Sequence, residues 1–274
     1  MSRYFQAMAY LNGITFIGGL GNVTAYTQKG SDKIILRRKG GPSRAMVKND
    51  VKFAVQRRYG QELGGCSVAG KAIRMMFGPN RALADQSLCA KLNQYLLQVQ
   101  RRDTANELGQ RAIRLSHMPQ LLAGFSLNGK ASLFDLTIRS TITASIDRDG
   151  LSARIAVPEL LPGVNFYPAD NQSMYSVTVV LGIVPDAEFD AELKKYVTPL
   201  WFDTTYAPVM ASTAWLPAGV PADAATLEIR FPQRPPELEF SVMLSVGIRY
   251  GMFLGDGTVL QTRRVGAAKV LAMG

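Results

Sequence analysis

The spacing of apolar residues changes near Gly124, and this restricts the chain to folds in which a mainly helical segment precedes a mainly β one. Upstream, Leu88, Leu92, Tyr95, Leu96 and Val99 recur at the three- and four-residue spacing of a helix with one buried face. Leu63, Cys66, Ala69, Ile73 and Met76 do the same over 61–77, a helix ended by Gly78-Pro79, in which Gly65, Ala69 and Gly70 permit close packing. An earlier helix, opened by Pro42 and capped by Ser43, aligns Val51, Val55 and Tyr59 on one face. A fourth short helix is expected within 107–115 and a turn at 119–122. Ahead of the helices, strands at 14–17, 23–26 and 33–39 flank a glycine-rich turn at 18–22 and a polar turn at 30–32.

Downstream, residues 138–146 alternate Ile with Thr and Ser, and 152–157 form their partner across an Asp- and Gly-bearing turn. Residues 174–184 are a long β-branched run, and further strands are expected at 226–231, 238–250 and 259–262. Asn128-Gly129 reads as a hairpin turn, 186–196 as an acidic helical insert, and 199–221 as a long loop carrying Trp201 and Trp215. The expected class is α+β. A short β hairpin plus a basic helical bundle occupies residues 1–124, and an antiparallel β-sandwich occupies 125–274.

With 274 residues, 47% hydrophobic and 19% charged, the chain can bury a sizeable core and lies far from the composition of disordered proteins. Two cysteines, Cys66 and Cys89, make no disulfide framework; both fall near apolar helical stripes and read as small core residues in a reducing compartment. His117 is the single histidine, so no zinc ligand set can be assembled, and neither metal nor cofactor is expected. No run of about 18 apolar residues predicts a membrane span. The N-terminal stretch, interrupted by Asn12 and Thr15, reads as structure and not as a targeting signal, which points to the cytoplasm.

No catalytic constellation is legible. Gly18-Gly19-Leu20-Gly21 lacks the spacing of a phosphate-cradling loop and is followed by a strand, so a turn requiring positive φ accounts for it. Ser116 and His117 are adjacent, a poor geometry for nucleophile and base, and no Gly-x-Ser-x-Gly elbow is present. The carboxylates at Asp147 and Asp149, and at Asp186, Glu188, Asp190 and Glu192, match no calcium loop and read as solvated surface. The chain is therefore expected not to be an enzyme, and no small-molecule substrate is inferred.

Charge is the positive signal. The net charge is +10, but residues 1–124 hold 19 Lys and Arg against 6 Asp and Glu, while 125–274 hold 12 against 15. The densest part comprises Lys33, Arg37, Arg38, Lys39, Arg44, Lys48, Lys52, Arg57 and Arg58, with Phe53 and Tyr59 interleaved. Such a segment can contact the acidic part of another subunit or neutralise nucleic-acid phosphates, although no known nucleic-acid-binding motif can be written onto it.

Gly30-Ser31-Asp32-Lys33, Arg38-Lys39-Gly40-Gly41-Pro42-Ser43 and Lys48-Asn49-Asp50, with Phe53 and Arg57, resemble a family of uncharacterised Bacteroidota proteins. In that family a basic Lys-Gly-Gly-x-Ser segment precedes a helical region, and a Gly-Ile-x-Phe/Tyr strand lies near the end, here Gly247-Ile248-Arg249-Tyr250. The resemblance implies a shared architecture over most of the chain, and no activity, cofactor or site. The expected function is structural: head-to-tail self-association into a homo-oligomer, a filament or shell, with nucleic-acid binding through 33–58 as the alternative.

Overall fold

The computed structural model describes residues 9–10, 16–28, 31–129, 134–169, 172–202 and 206–274. It divides into two compact units, Met1–Arg57 and Arg58–Gly274. The class is α+β, as the periodicity indicates.

In the first unit, strands β1 (Ala9–Tyr10), β2 (Gly18–Leu20), β3 (Val23–Thr27) and β4 (Ile34–Arg38) form an antiparallel sheet of order β1-β4-β3-β2. The reversal between β2 and β3 falls on Gly21-Asn22, where Gly21 adopts φ +54, a value that disfavours side chains. Strand β2 lies inside the segment expected to be turn; of the strand expected at 14–17, Ile14 and Thr15 lie outside the described residues, as does Gly30 of the next turn. Helix α1 (Arg44–Asn49) starts at Ser43, whose hydroxyl accepts from the Met46 amide at 3.2 Å. It stops at Asp50, whose carboxylate instead accepts from Lys52 and starts a 3-10 turn. This break is why Val51 and Val55 do not form the expected apolar face with Tyr59; all three side chains are exposed. Among the described residues of this unit, only Ala25 and Ile34 are buried apolar side chains.

The second unit has three layers. Strands β7 (Met174–Pro185), β10 (Val209–Ser212), β11 (Leu216–Pro217), β13 (Phe240–Phe253) and β14 (Val259–Met273) form the central sheet, ordered β10-β7-β13-β14 with β11 also on β7. A three-stranded sheet of β5 (Thr143–Asp147), β6 (Ser152–Val157) and β12 (Ala225–Arg230), ordered β12-β6-β5, shares an apolar core with one face. That core takes Tyr175, Val177, Val179, Leu181 and Ile183 of β7 and the even positions of β13 from Phe240 to Tyr250. It is the expected antiparallel sandwich.

The other face of the central sheet is covered by helices α2 (Ala54–Met76) and α3 (Leu88–Gln100). Cys66, Ala69, Ile73 and Met76 of α2 and Leu88, Leu92, Leu96 and Val99 of α3 pack with Val184, Met243, Ala268 and Val270 of the strands. Helices and strands thus share one core, which is why the compact units do not divide at the expected Gly124. Burial on both faces also explains why β7 has no alternation: every residue after Met174 is buried.

The helical layer reaches the strands through small residues. A Cβ on Gly182 of β7 would stand 2.5 Å from Met76 Cβ and 2.9 Å from its carbonyl oxygen, and one on Gly247 of β13 would run into Asn80. Asn80, fully buried, donates from Nδ2 to Ser245 Oγ at 3.2 Å. Higher on α2, Gly65 takes the ring of Tyr196 and Gly70 takes Asn93 of α3.

Several local expectations are corrected by tertiary contacts. Residues 107–114 form no helix, and Leu115 opens only a 3-10 turn to His117, because the Gly109 amide donates to Glu62 and the Ala112 amide to Asp103, so side chains replace helical carbonyls as acceptors. The segment 186–196 is a hairpin of β8 (Glu188–Asp190) and β9 (Lys195–Val197), because Tyr196 is drawn inward to bond Gln100. Asn128 is no hairpin turn residue: it is buried, donating to Leu83 O and accepting from the Ala268 amide, while Lys130 lies outside the described residues. Cys89 is exposed, whereas Cys66 is buried as expected.

Filling the gap at Gly182 should be the costly change. Gly182→Val should lower stability by about 1–3 kcal/mol, the range for overpacking a filled core. Gly64→Ala, on α2 with open space around it, should raise stability by about 0.4–1 kcal/mol. Urea unfolding midpoints of the two variants check both signs.

Candidate functional site

The nine cations singled out from the sequence do not form one equivalent set. Eight lie in the first unit, and Arg58 begins the second, where its side-chain stem packs beside Gly109. Arg37 and Arg38 end strand β4, exposed, opposite Thr24 and Val23. Arg44 and Lys48 lie on α1 and Lys52 on the turn after it, all exposed. The remaining members have structural contacts. The Lys33 amide donates to Ser31 Oγ, and Lys39 Nζ donates to the Gly21 carbonyl at 3.0 Å. Arg57 is half-buried and donates from Nη1 to the carbonyls of Val47 and Asp50, each at 2.8 Å, closing the end of α1.

A second feature, in the second unit, is an open groove of about 700 Å³ at the end of the central sheet where β7 stops and β13 begins. Asp186, Glu188, Asp190, Glu237 and Glu239 line it, against Arg114 and His117, and Leu193, Val197, Pro199 and Leu200 supply its apolar part. Arg114 binds Glu188 through Nη2 at 2.8 Å and Nε at 3.0 Å. Glu237 accepts from Trp201 Nε1 at 2.7 Å. Asp190 accepts the amides of Glu192 and Leu193, which makes the turn between β8 and β9. The negative charge therefore exceeds what the two basic side chains offset.

Asp186 was expected on an exposed insert but is buried, because it follows directly on the buried strand β7. Burial pushes its carboxyl above the usual range, and the Ser116 hydroxyl and amide, at 2.5 and 2.9 Å, partly oppose this. Ser116 gives its hydroxyl hydrogen to Asp186 and not to the neighbouring His117, which is exposed. Glu237 and Glu239 were not singled out from the sequence. The signal available was their position either side of Leu238, immediately ahead of a long apolar strand.

A polar network holds the β8–β9 hairpin through Tyr196. Glu62 is 2% exposed and accepts from Arg111 Nε and Nη2 at 2.5 Å each, and from the Gly109 amide at 3.0 Å. Burial alone would push the Glu62 carboxyl up, but these donors outweigh it and hold it below the usual range. Gln100 accepts from Cys66 Sγ and donates to Arg111 O and Tyr196 Oη. Burial pushes the Cys66 thiol up to about 12, which leaves it a packing residue and not a nucleophile. Among the described residues no group of three or more His, Cys, Asp or Glu is placed to hold a metal ion. No described helix is long and apolar enough to cross a membrane.

Two stability measurements follow. Glu62→Gln leaves Arg111 without its carboxylate and should cost about 3 kcal/mol, read as a fall in the urea midpoint. Asp103 is raised by burial but lowered further by Asn106 and the amides of Ala112, Ala105 and Asn106, to about 2 from its ordinary 3.8. Its folded-state value is depressed, so its contribution is present above the unfolded value and lost as pH falls through the folded one. The melting temperature of wild type should exceed that of Asp103→Asn at pH 7, and the gap should narrow between pH 3.8 and about 2.

No protein-family model, curated protein or solved structure matches this chain.

Proposed function

We propose that the protein is a non-catalytic structural protein that associates head to tail with its own copies into a homo-oligomer of the filament or shell kind. The observation that carries this reading is the acid-lined groove on a chain whose net charge is +10. Four solvent-accessible carboxylates, Glu188, Asp190, Glu237 and Glu239, gathered at one end of the central sheet of a basic chain favour self-complementary contact, and a contact between unlike surfaces generates rings or open helices. The first unit supports the same reading. Residues 1–57 carry ten Lys and Arg against two Asp, and their sheet has little apolar core among the described residues, so a neighbour that covers it would stabilise it. Assembly should appear in sedimentation velocity at low ionic strength and dissolve near 1 M salt, where the screening length falls to about 3 Å. A monomer at low salt and high concentration would overturn the reading.

A nucleic-acid-binding role is supported by a separate observation. Arg37, Arg38, Arg44, Lys48 and Lys52 are exposed and paired with no carboxylate among the described residues, and exposed Tyr26 shares a face of the small sheet with Arg37. Cations beside an aromatic ring can hold phosphate and stack a base. Arg37→Ala with Arg38→Ala should then reduce the slope of log affinity against log salt by about 2 in gel-shift titrations. No shift of nucleic acid by the wild type at low salt would rule this role out.

A further inference from the structure

We propose that the tip of the β13–β14 hairpin of one copy seats in the acid-lined groove of the next. This inference rests on the self-association reading and names its contact. The hairpin runs past the rest of the central sheet. Gly251 is the last residue of β13 paired with β7, whereas Met252 and Phe253 pair only with Leu260 and Val259 of β14. Four large apolar side chains, Met252, Phe253, Leu254 and Leu260, are each about half exposed on this projection. Exposed Arg263 and Arg264 follow, against a single acid, Asp256. The pairing of Gly251 with Gln261 and of Arg249 with Gly266 leaves these arginines in a bulge, with Arg264 at φ +60. A bulge of this kind re-aims side chains and blocks further strand pairing along the edge.

An isolated two-stranded ribbon is marginal in water, but this one is held. Ser173 Oγ accepts from the Phe253 amide at 3.2 Å and donates to the Gly251 carbonyl at 3.3 Å, and the Leu254 amide donates to Thr258 O at the tip. The backbone that carries the apolar side chains is thus held, which reduces the ordering cost of a contact.

The occupant is argued from complementarity and position. The tip presents apolar side chains, with two arginines at its base; the groove combines Leu193, Val197, Pro199 and Leu200 with an excess of carboxylates. The basic segment 33–58 also exposes apolar side chains, Met46, Val51 and Val55, but all three belong to the first unit, whereas the tip is carried by the same sheet as the groove. Tip and groove also lie at opposite ends of one sheet: β7 pairs with Phe240 at Pro185, beside the groove, and with Gly251 at Met174, at the base of the tip. Those twelve residues of strand separate donor from acceptor by roughly 40 Å. Two unlike surfaces at opposite ends of a rigid element cannot satisfy each other within one copy, and they repeat from copy to copy.

The test uses the full chain in sedimentation velocity at low salt. Phe253→Ser with Leu254→Ser disables the tip, and Leu200→Lys with Glu239→Lys disables the groove; all four positions are exposed, and thermal melts confirm the fold. Each variant alone should require at least tenfold higher concentration to associate. Mixed, the two should form a dimer of one copy each and nothing larger, since one competent tip and one competent groove remain. Mixed variants that stay monomeric while wild type assembles would overturn the contact. So would variants that assemble as wild type does; loss of assembly in Arg37→Glu with Arg38→Glu would then assign the contact to the basic segment. Binding of wild type to anionic phosphatidylglycerol vesicles, abolished by the tip variant without effect on assembly, would assign the tip to a lipid surface and overturn it equally. A wild type that never associates removes the self-association reading itself, which separates the two failures.

Discussion

The close approach of the end of α2 to the backbone of the central sheet at Gly182 is the contact on which the second unit depends. Gly182 and Gly247 leave two gaps on the central sheet, the first filled by Met76 of α2 and the second by Asn80 of the 3-10 turn Gly78–Leu83 that follows it. Close approach brings dispersion contacts that larger side chains would hold apart, and it places the Asn80 amide against Ser245 Oγ. With the helical layer at this height, Cys66, Ala69 and Ile73 reach the same core as Met243, Ala268 and Val270. The sheet is then buried on both faces, and its two ends, where the groove and the hairpin tip lie, are left to solvent.

The polar network extends that arrangement toward the groove. Glu62 on α2, Gln100 on α3, Arg111 on the following loop and Tyr196 on β9 satisfy one another, so the loop 103–111 is shaped by side-chain acceptors without becoming a helix. Tyr196 anchors one strand of the β8–β9 hairpin whose acidic residues line the groove, and Arg114 reaches Glu188 on the other strand. The rim of the groove is therefore tied to the helical layer. Preorganised in this way, a charged surface contributes to association rate and orientation more than to raw affinity, with apolar contact supplying the persistence.

Legibility in the sequence followed the range of the interactions. The α3 stripe is readable because Leu88, Leu92, Leu96 and Val99 face one core, although Tyr95 of the same stripe is exposed, and Ser43 is readable as a cap because its acceptor role spans three residues. Strands β3, β6, β7 and β12 matched their β-branched or alternating patterns. The hairpin at 186–196 reads as a helix in sequence because its composition is acidic and its inward anchor, Tyr196, bonds residues about 90 positions away. Asn128-Gly129 carries a hairpin signal, yet its amide is consumed by Leu83 and Ala268. Of the candidate cations, Arg57 was indistinguishable in sequence from Arg37, because nothing local indicates that it caps α1.

By itself the sequence determined the class, the order of helical and β segments, and the concentration of positive charge before Gly124, since these depend on residue type and on spacings of a few positions. Only the tertiary structure decided that the helices and the sandwich share one unit, that Asp186 is buried, and that Glu188, Glu237 and Glu239 meet at one end of a sheet whose other end carries Phe253 and Leu254. The physical reason is that burial and electrostatic grouping are set by which faces meet across the fold. A carboxylate 50 positions from another in sequence has no charge environment until β7 and β13 lie side by side.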